Sequence, residues 1–258
     1  MATERRNWTR EELIVAFNLY CKIPFSKINY KHKSIVELAS AIGRTPSAVA
    51  WKLVNFASLD PSLKERNIRG ATNAGKLDKV IFEEFYHDWN TLAYESELLR
   101  ANFLGKKIDI NYSDDDIDFE IKEGKVRESL IKIRVNQSFF RSTILASYDY
   151  KCCITGISIP DFLIASHIIP WSKDEKNRLN PQNGLCLNSI HDKAFDKGFM
   201  TIDIDYKIKI SQSISEFKNE INIQKFFYDF EHKQIELPKR FLPNKEFLIY
   251  HHENIFKK

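Results

Sequence analysis

Between Cys153 and Gly198 three polar side chains follow one another in surroundings that leave the chain little freedom. His167 sits in the apolar run Ala165-Ser166-His167-Ile168-Ile169-Pro170-Trp171. Asn183 lies in the turn Asn180-Pro181-Gln182-Asn183-Gly184-Leu185, and His191 opens the segment His191-Asp192-Lys193-Ala194-Phe195-Asp196-Lys197-Gly198. Short apolar runs bounded by turn residues read as strands, so strands are expected at 162–169 and 184–187. Residues 189–197 read as a helix, with Gly198 as the residue beyond its C-terminus. Strand, loop, strand, helix is the resulting order.

These groups suit hydrolysis of a phosphodiester. The reaction needs a nucleophilic water, neutralisation of charge at phosphorus, and help for the departing oxygen. An imidazole titrates near neutral pH and can take the proton of a water, and a divalent cation can stabilise the developing negative charge. Taken singly, each residue has a plainer reading: a histidine satisfied in a core, or an asparagine in a turn. Their joint order favours the chemical one, with the three side chains converging on one ion.

At 258 residues the chain is long enough for one large or two small domains. Its formal charge of +4 is compatible with a polyanionic partner and does not establish one. The opening residues lack the apolar stretch of a secretory signal, and no run of about eighteen apolar residues suggests a membrane span. A cytoplasmic location is therefore expected. Cys21, Cys152, Cys153 and Cys186 form no C-x-x-C pair, so reduced thiols are expected rather than a zinc ribbon or disulfides.

The N-terminal part reads as helices. Thr9-x-x-Glu12 is a capping box, with Trp8 and Leu13 placed as a hydrophobic staple, and Leu13, Phe17 and Tyr20 form one apolar face. A second helix fits 34–42. Gly43-Arg44-Thr45-Pro46 then offers Thr45 as N-cap and Pro46 as N1 of a third, which buries Val49, Leu53 and Phe56. A helix, a short glycine turn and a helix make a helix-turn-helix arrangement. Its outward residues are expected to be Ser47, Trp51, Lys52 and Asn55, with Arg44 in the turn, types that can contact phosphates and base edges. The same pattern also fits a helical packing or dimerisation module. A fourth helix is expected over 76–99, with Ile81, Phe85, Trp89 and Leu92 on one stripe. Residues 105–128, which contain the acidic block 113–118, read as a linker or exposed loop. A helix is expected over 136–148, a hairpin over 200–211, and an aromatic, basic tail packing back over the domain. The expected organisation is an α+β chain with a helical domain at 1–104, a linker at 105–133 and a second domain at 134–258.

The 134–256 region resembles the HNH endonuclease family, whose small nuclease domain is called the ββα-metal fold. The resemblance rests on Cys153-Ile154-Thr155-Gly156, the His167, Asn183 and His191 segments, and Phe195-Asp196-Lys197-Gly198. Flanking it are Gln137-Ser138-Phe139-Phe140-Arg141 and Phe247-Leu248-Ile249-Tyr250-His251. It is closest to the subfamily found in bacterial restriction-type enzymes, and the N-terminal phrases resemble the domain that often precedes such nucleases, itself loosely similar to Myb/SANT domains. The resemblance implies cleavage of double-stranded DNA with Mg²⁺ or Mn²⁺, commonly by a homodimer. It implies His167 as general base, Asn183 as the residue orienting the loop, and His191 as metal ligand.

One departure stands out. Many HNH enzymes place an Asp or His immediately before the general base as a second metal ligand, and here that residue is Ser166, a poor ligand for a hard cation. Either His191, waters and phosphate hold the ion, or another acid contributes; Asp192 and Asp196 lie on the same helix but at spacings that share the His191 face poorly. Arg178 and Lys193 are further candidates for phosphate. The functional expectation is a restriction or phage-defence endonuclease, including a modification-dependent one. The alternatives are a DNA-binding protein with a non-cleaving HNH fold and an interaction protein using the helical domain to dimerise.

Overall fold

The computed structural model describes residues 6–65, 74–106 and 125–258. Two compact units, Met1–Phe139 and Phe140–Lys258, divide the chain.

The first unit is helical. Its elements are α1 (Arg10–Lys22), α2 (Lys33–Ala41), α3 (Pro46–Leu59), α4 (Pro61–Glu65), α5 (Lys76–Phe85), α6 (Trp89–Phe103) and the start of α7 (Lys125–Ser147). The capping box forms: Thr9 Oγ1 accepts from Glu12 N at 3.3 Å, and Glu12 accepts from Thr9 N at 3.0 Å. Thr45 caps α3 through Ala48 N, with Pro46 in the first turn. Helix α1 packs on α3, α5 and α6, which places Phe17 in an aromatic core with Phe56 at 5.0 Å and Phe82 at 5.2 Å between ring centroids.

Four expectations change here. The single helix over 76–99 is two, α5 and α6. Asp88 ends the run by accepting from Thr91 N at 3.2 Å, while Tyr86 stacks on Phe82 and carries the apolar stripe across the break. Residues 125–133, expected as linker, are helical in α7; the acidic block lies outside the described residues. Lys52 does not face outward. It is buried and donates to both carboxylate oxygens of Asp78, at 2.7 and 2.9 Å. Arg44 is likewise engaged, donating to Glu12 at 2.7 Å and lying over the Trp8 ring at 4.1 Å. Desolvation alone would keep either cation out of an interior, so a buried carboxylate opposite each is what holds it there.

The second unit contains the rest of α7 and two small antiparallel sheets. β1 (Leu163–His167) pairs with β2 (Gly184–Asn188), with His167 opposite Gly184 and Leu163 opposite Asn188. α8 (Ser189–Asp196) follows β2 directly and packs on both strands. β3 (Met200–Ile202) and β4 (Ile208–Ile210) form the expected hairpin, and α9 (Ile221–Phe226) and α10 (Lys245–Asn254) complete the unit. The tail returns over α8: His251 stacks on Phe195, and Lys257 N donates to the Gly198 carbonyl at 2.9 Å. Gly198 has φ +73°, which favours glycine and lets the chain reverse after α8.

Candidate active site

His167 closes β1, half-buried. Its ring lies flat on Phe140, with centroids 3.9 Å apart and planes 9° from parallel, and meets the Trp171 ring edge-on at 5.5 Å. Nε2 is 2.9 Å from the Arg178 carbonyl oxygen. A carbonyl can only accept, so Nε2 carries the proton and Nδ1 carries the lone pair. Burial lowers the His167 pKa below the usual imidazole value, and the hydrogen bond to Arg178 partly offsets this. The result is a neutral base of fixed tautomer.

Asn183 fixes the loop that supplies that carbonyl. It is 1% exposed. Its Oδ1 accepts from Ile169 N at 2.8 Å, and Nδ2 donates to Ile169 O and Asn177 O, both at 3.2 Å. The Asn183 carbonyl also accepts from Ile168 N at 3.0 Å. One carboxamide thus ties both ends of the 168–183 loop. The Arg178 side chain belongs to the same loop, with Nε donating to Trp171 O at 2.8 Å and the guanidinium lying over the Trp171 ring. Lys193 is exposed on α8.

His191 is placed differently from the other two. No hydrogen bond or ring contact among the described residues joins it to His167 or Asn183. It is 1% exposed, flanked edge-on by Phe227 and Phe230. Nε2 donates to the Phe226 carbonyl at 2.6 Å, and Nδ1 accepts from Asn188 Nδ2 at 2.9 Å. Asn188 is also the N-cap of α8, so the imidazole is built into the helix start. Both nitrogens are occupied. An ion needs a free lone pair on its ligand, so the expected ligand role of His191 does not fit this geometry, and the three side chains do not converge on one point.

Around His191 lies a cluster of buried thiols. Cys152 is one of them, and Asn188 Nδ2, which holds His191 Nδ1, also lies 3.5 Å from its Sγ. All four cysteines are free and buried.

Beside His191, Asp192 approaches β1 at Ser166. Burial raises the Asp192 pKa, and the Ser166 hydroxyl opposes the shift. Asp196 is raised by burial and by repulsion from Asp192. Ser166 Oγ is buried and makes no hydrogen bond of ordinary geometry. Among the described residues, no group of three or more His, Cys, Asp or Glu side chains is arranged to hold an ion.

Sequence reasoning placed Phe140 in a helix and a flanking motif but not beneath His167, and did not single out Asn188 or the Arg178 carbonyl. Asn188 was accessible as an N-cap signal before Ser189-Ile190-His191, and the Phe140 stack and the backbone carbonyl leave no residue-type signature.

The helical unit offers fewer outward groups than expected. Ser47 is exposed and Trp51 is 65% exposed; Asn55 is half-buried and donates to Asp78 at 3.4 Å. Among the described residues no helix is long and apolar enough to cross a membrane.

Residues 152–203 match the family model described as HNH endonuclease. That match supports nuclease activity in general for this segment, and proteins of the family act on DNA and generally use a divalent metal. None of the curated proteins compared with the chain matches it.

Proposed function

We propose that this chain, whose residues 152–203 belong to the HNH endonuclease family, hydrolyses phosphodiester bonds of double-stranded DNA with His167 as general base. One observation carries the reading: an imidazole with its Nε2 proton committed to a carbonyl and its Nδ1 lone pair unengaged. Nδ1 removes a proton from water as the water attacks phosphorus, the P–O bond to the departing sugar oxygen breaks, and that oxygen is protonated by solvent. The Arg178 carbonyl, hydrogen-bonded to Nε2–H, stabilises the imidazolium that results. Phe140 and Trp171 hold the ring plane while the charge appears, and Asn183 keeps the carbonyl in reach. A fixed tautomer and a fixed ring are what a general base needs.

In this reading the helical unit samples DNA through the α3 surface carrying Ser47 and Trp51, with Arg44, Lys52 and Asn55 shaping that surface from within. The biological role is restriction or phage defence, by a homodimer, on unmodified or modified DNA. Sequencing the ends of fragments cut from modified and unmodified genomic DNA distinguishes these substrates.

The deciding test is plasmid cleavage by the full chain with Mg²⁺ or Mn²⁺. His167→Ala is expected to abolish cleavage while DNA binding persists. Cutting by this variant at the wild-type rate refutes the mechanism. The occupied nitrogens of His191 favour a second reading, a DNA-binding protein that does not cut; wild-type binding without any metal-dependent cleavage selects it.

A further inference from the structure

Asn177 stands immediately before Arg178, whose carbonyl takes the Nε2 proton of His167. Its side chain and its own carbonyl are spent within the same loop. Nδ2 donates to Asp174 Oδ2 at 2.6 Å, and Oδ1 accepts from Asn180 Nδ2 at 3.1 Å. The Asn177 carbonyl accepts from Asn183 Nδ2 at 3.2 Å. Asp174 is anchored in turn, its Oδ1 accepting from the backbone N–H groups of Lys176 and Asn177 at 3.1 and 3.2 Å. Asn180 Oδ1 accepts from Gln182 N at 3.1 Å, which fixes the way its carboxamide faces. Beyond the Arg178 carbonyl, Leu179 is buried, and the Arg178 side chain is held by Trp171. The peptide that faces His167 thus lies between a polar anchor at 177 and an apolar one at 179.

We infer that Asp174 and Asn177 are positioning residues for His167, aiming the Arg178 carbonyl so that the imidazole keeps its proton on Nε2 and its lone pair on Nδ1. This inference rests on the nuclease reading and deepens it. In a neutral imidazole, the partner of one nitrogen decides which tautomer is present. The 168–183 loop has no strand ladder to hold that partner, so side chains bonded to nearby backbone groups do so instead. The link from Asn177 to a carboxylate is of the stronger, charge-assisted kind. It is also directional. A donor at 174 would need the Asn177 carboxamide turned over, which sets its Nδ2 against the Nδ2 of Asn180. Asn180 cannot turn to match without losing Gln182 N.

The test reads the tautomer from the ring-nitrogen chemical shifts of His167 in the full chain labelled with ¹⁵N-histidine, at mildly alkaline pH and without DNA. The spectrum of His167→Ala identifies the signals. Cleavage kinetics accompany it. Asp174→Asn sets two amide donors face to face, and Asn177→Asp sets two carboxylates face to face. Each is expected to lose the preference for Nε2–H and to lower kcat about tenfold. The two substitutions change net charge in opposite senses, so a purely electrostatic effect on DNA would drive them apart. The double variant Asp174→Asn with Asn177→Asp exchanges donor and acceptor, keeps an acceptor for Asn180, and leaves net charge unchanged. It is expected to restore both tautomer and kcat. The wild-type tautomer in both single variants overturns the inference, as does a double variant no better than the singles. Failure of the two readings is separable. A chain that never cuts, but whose single variants shift the tautomer, loses only the nuclease reading. A chain that cuts while both single variants keep the wild-type tautomer loses only the roles of Asp174 and Asn177.

Discussion

The Nε2–H of His167 donates to the carbonyl of Arg178 at 2.9 Å, which leaves Nδ1 as the basic nitrogen of the site. Arg178 is eleven residues further along the chain, in a loop with no sheet of its own. The tautomer of His167 therefore depends on loop conformation, and the loop depends on Asn183.

Cleavage should follow the neutral form of His167. Because burial lowers its pKa below the ordinary value of 6.5, the acid limb of the pH profile of kcat/KM should fall below that value, with activity lost as pH drops through it. A profile measured at saturating Mn²⁺ checks this; an acid limb above 6.5 contradicts the assignment.

Asn183→Ala should uncouple the loop. It removes three hydrogen bonds and strands Ile169 N, Ile169 O and Asn177 O in a buried setting. The expected cost is about 2–4 kcal/mol of stability, and a cleavage rate about a hundredfold lower from displacement of the Arg178 carbonyl. Chemical denaturation and single-turnover cleavage measure the two effects separately.

Neighbouring residues on α3 should behave in opposite ways. Lys52→Met leaves the Asp78 carboxylate buried without its cation and should cost about 3 kcal/mol. Trp51→Ala, at an exposed position, should leave stability within about 0.5 kcal/mol. If α3 meets DNA, it should weaken binding about tenfold with the salt dependence unchanged, because no charge is lost. Denaturation midpoints and binding isotherms at several salt concentrations test both.

Acid should destabilise the second unit through His251. Its ring stacks on Phe195, hydrogen-bonds Thr201 at 2.8 Å and is 1% exposed, and burial takes its pKa down to about 4. The unfolded chain takes up the proton near 6.5 while the folded one does not. The contribution is therefore intact above 6.5 and declines as pH falls from 6.5 toward about 4. The full loss is on the order of 3 kcal/mol. Urea unfolding at pH 7.5 and 4.5 should show a drop that His251→Gln reduces.

What the sequence made legible was local. Thr9 with Glu12, and Thr45 with Pro46, encode helix starts within four residues, and both caps form as read. The strands around His167 and Gly184 were visible for the same reason, although β1 is shorter than expected at both ends. Partners distant in the chain were not visible. Lys52 looks outward by helical periodicity until Asp78, 26 residues away, is brought against it. His191 looks like a free ligand until Phe226, 35 residues on, offers its carbonyl. The stripe of Phe85, Trp89 and Leu92 hid the break at Asp88 because Tyr86 keeps it apolar through the turn.

His167 faces a glycine across the strand pair, and a β-carbon at Gly184 would collide with Ile144 and Phe140. The ring beneath the imidazole thus occupies the volume where a neighbouring side chain would otherwise begin. Enlarging residue 184 by one methyl should tilt that platform and with it the imidazole, and trimming Ile144 in the same molecule should let it settle back. The aim of the His167 ring is thus set partly by an omitted carbon.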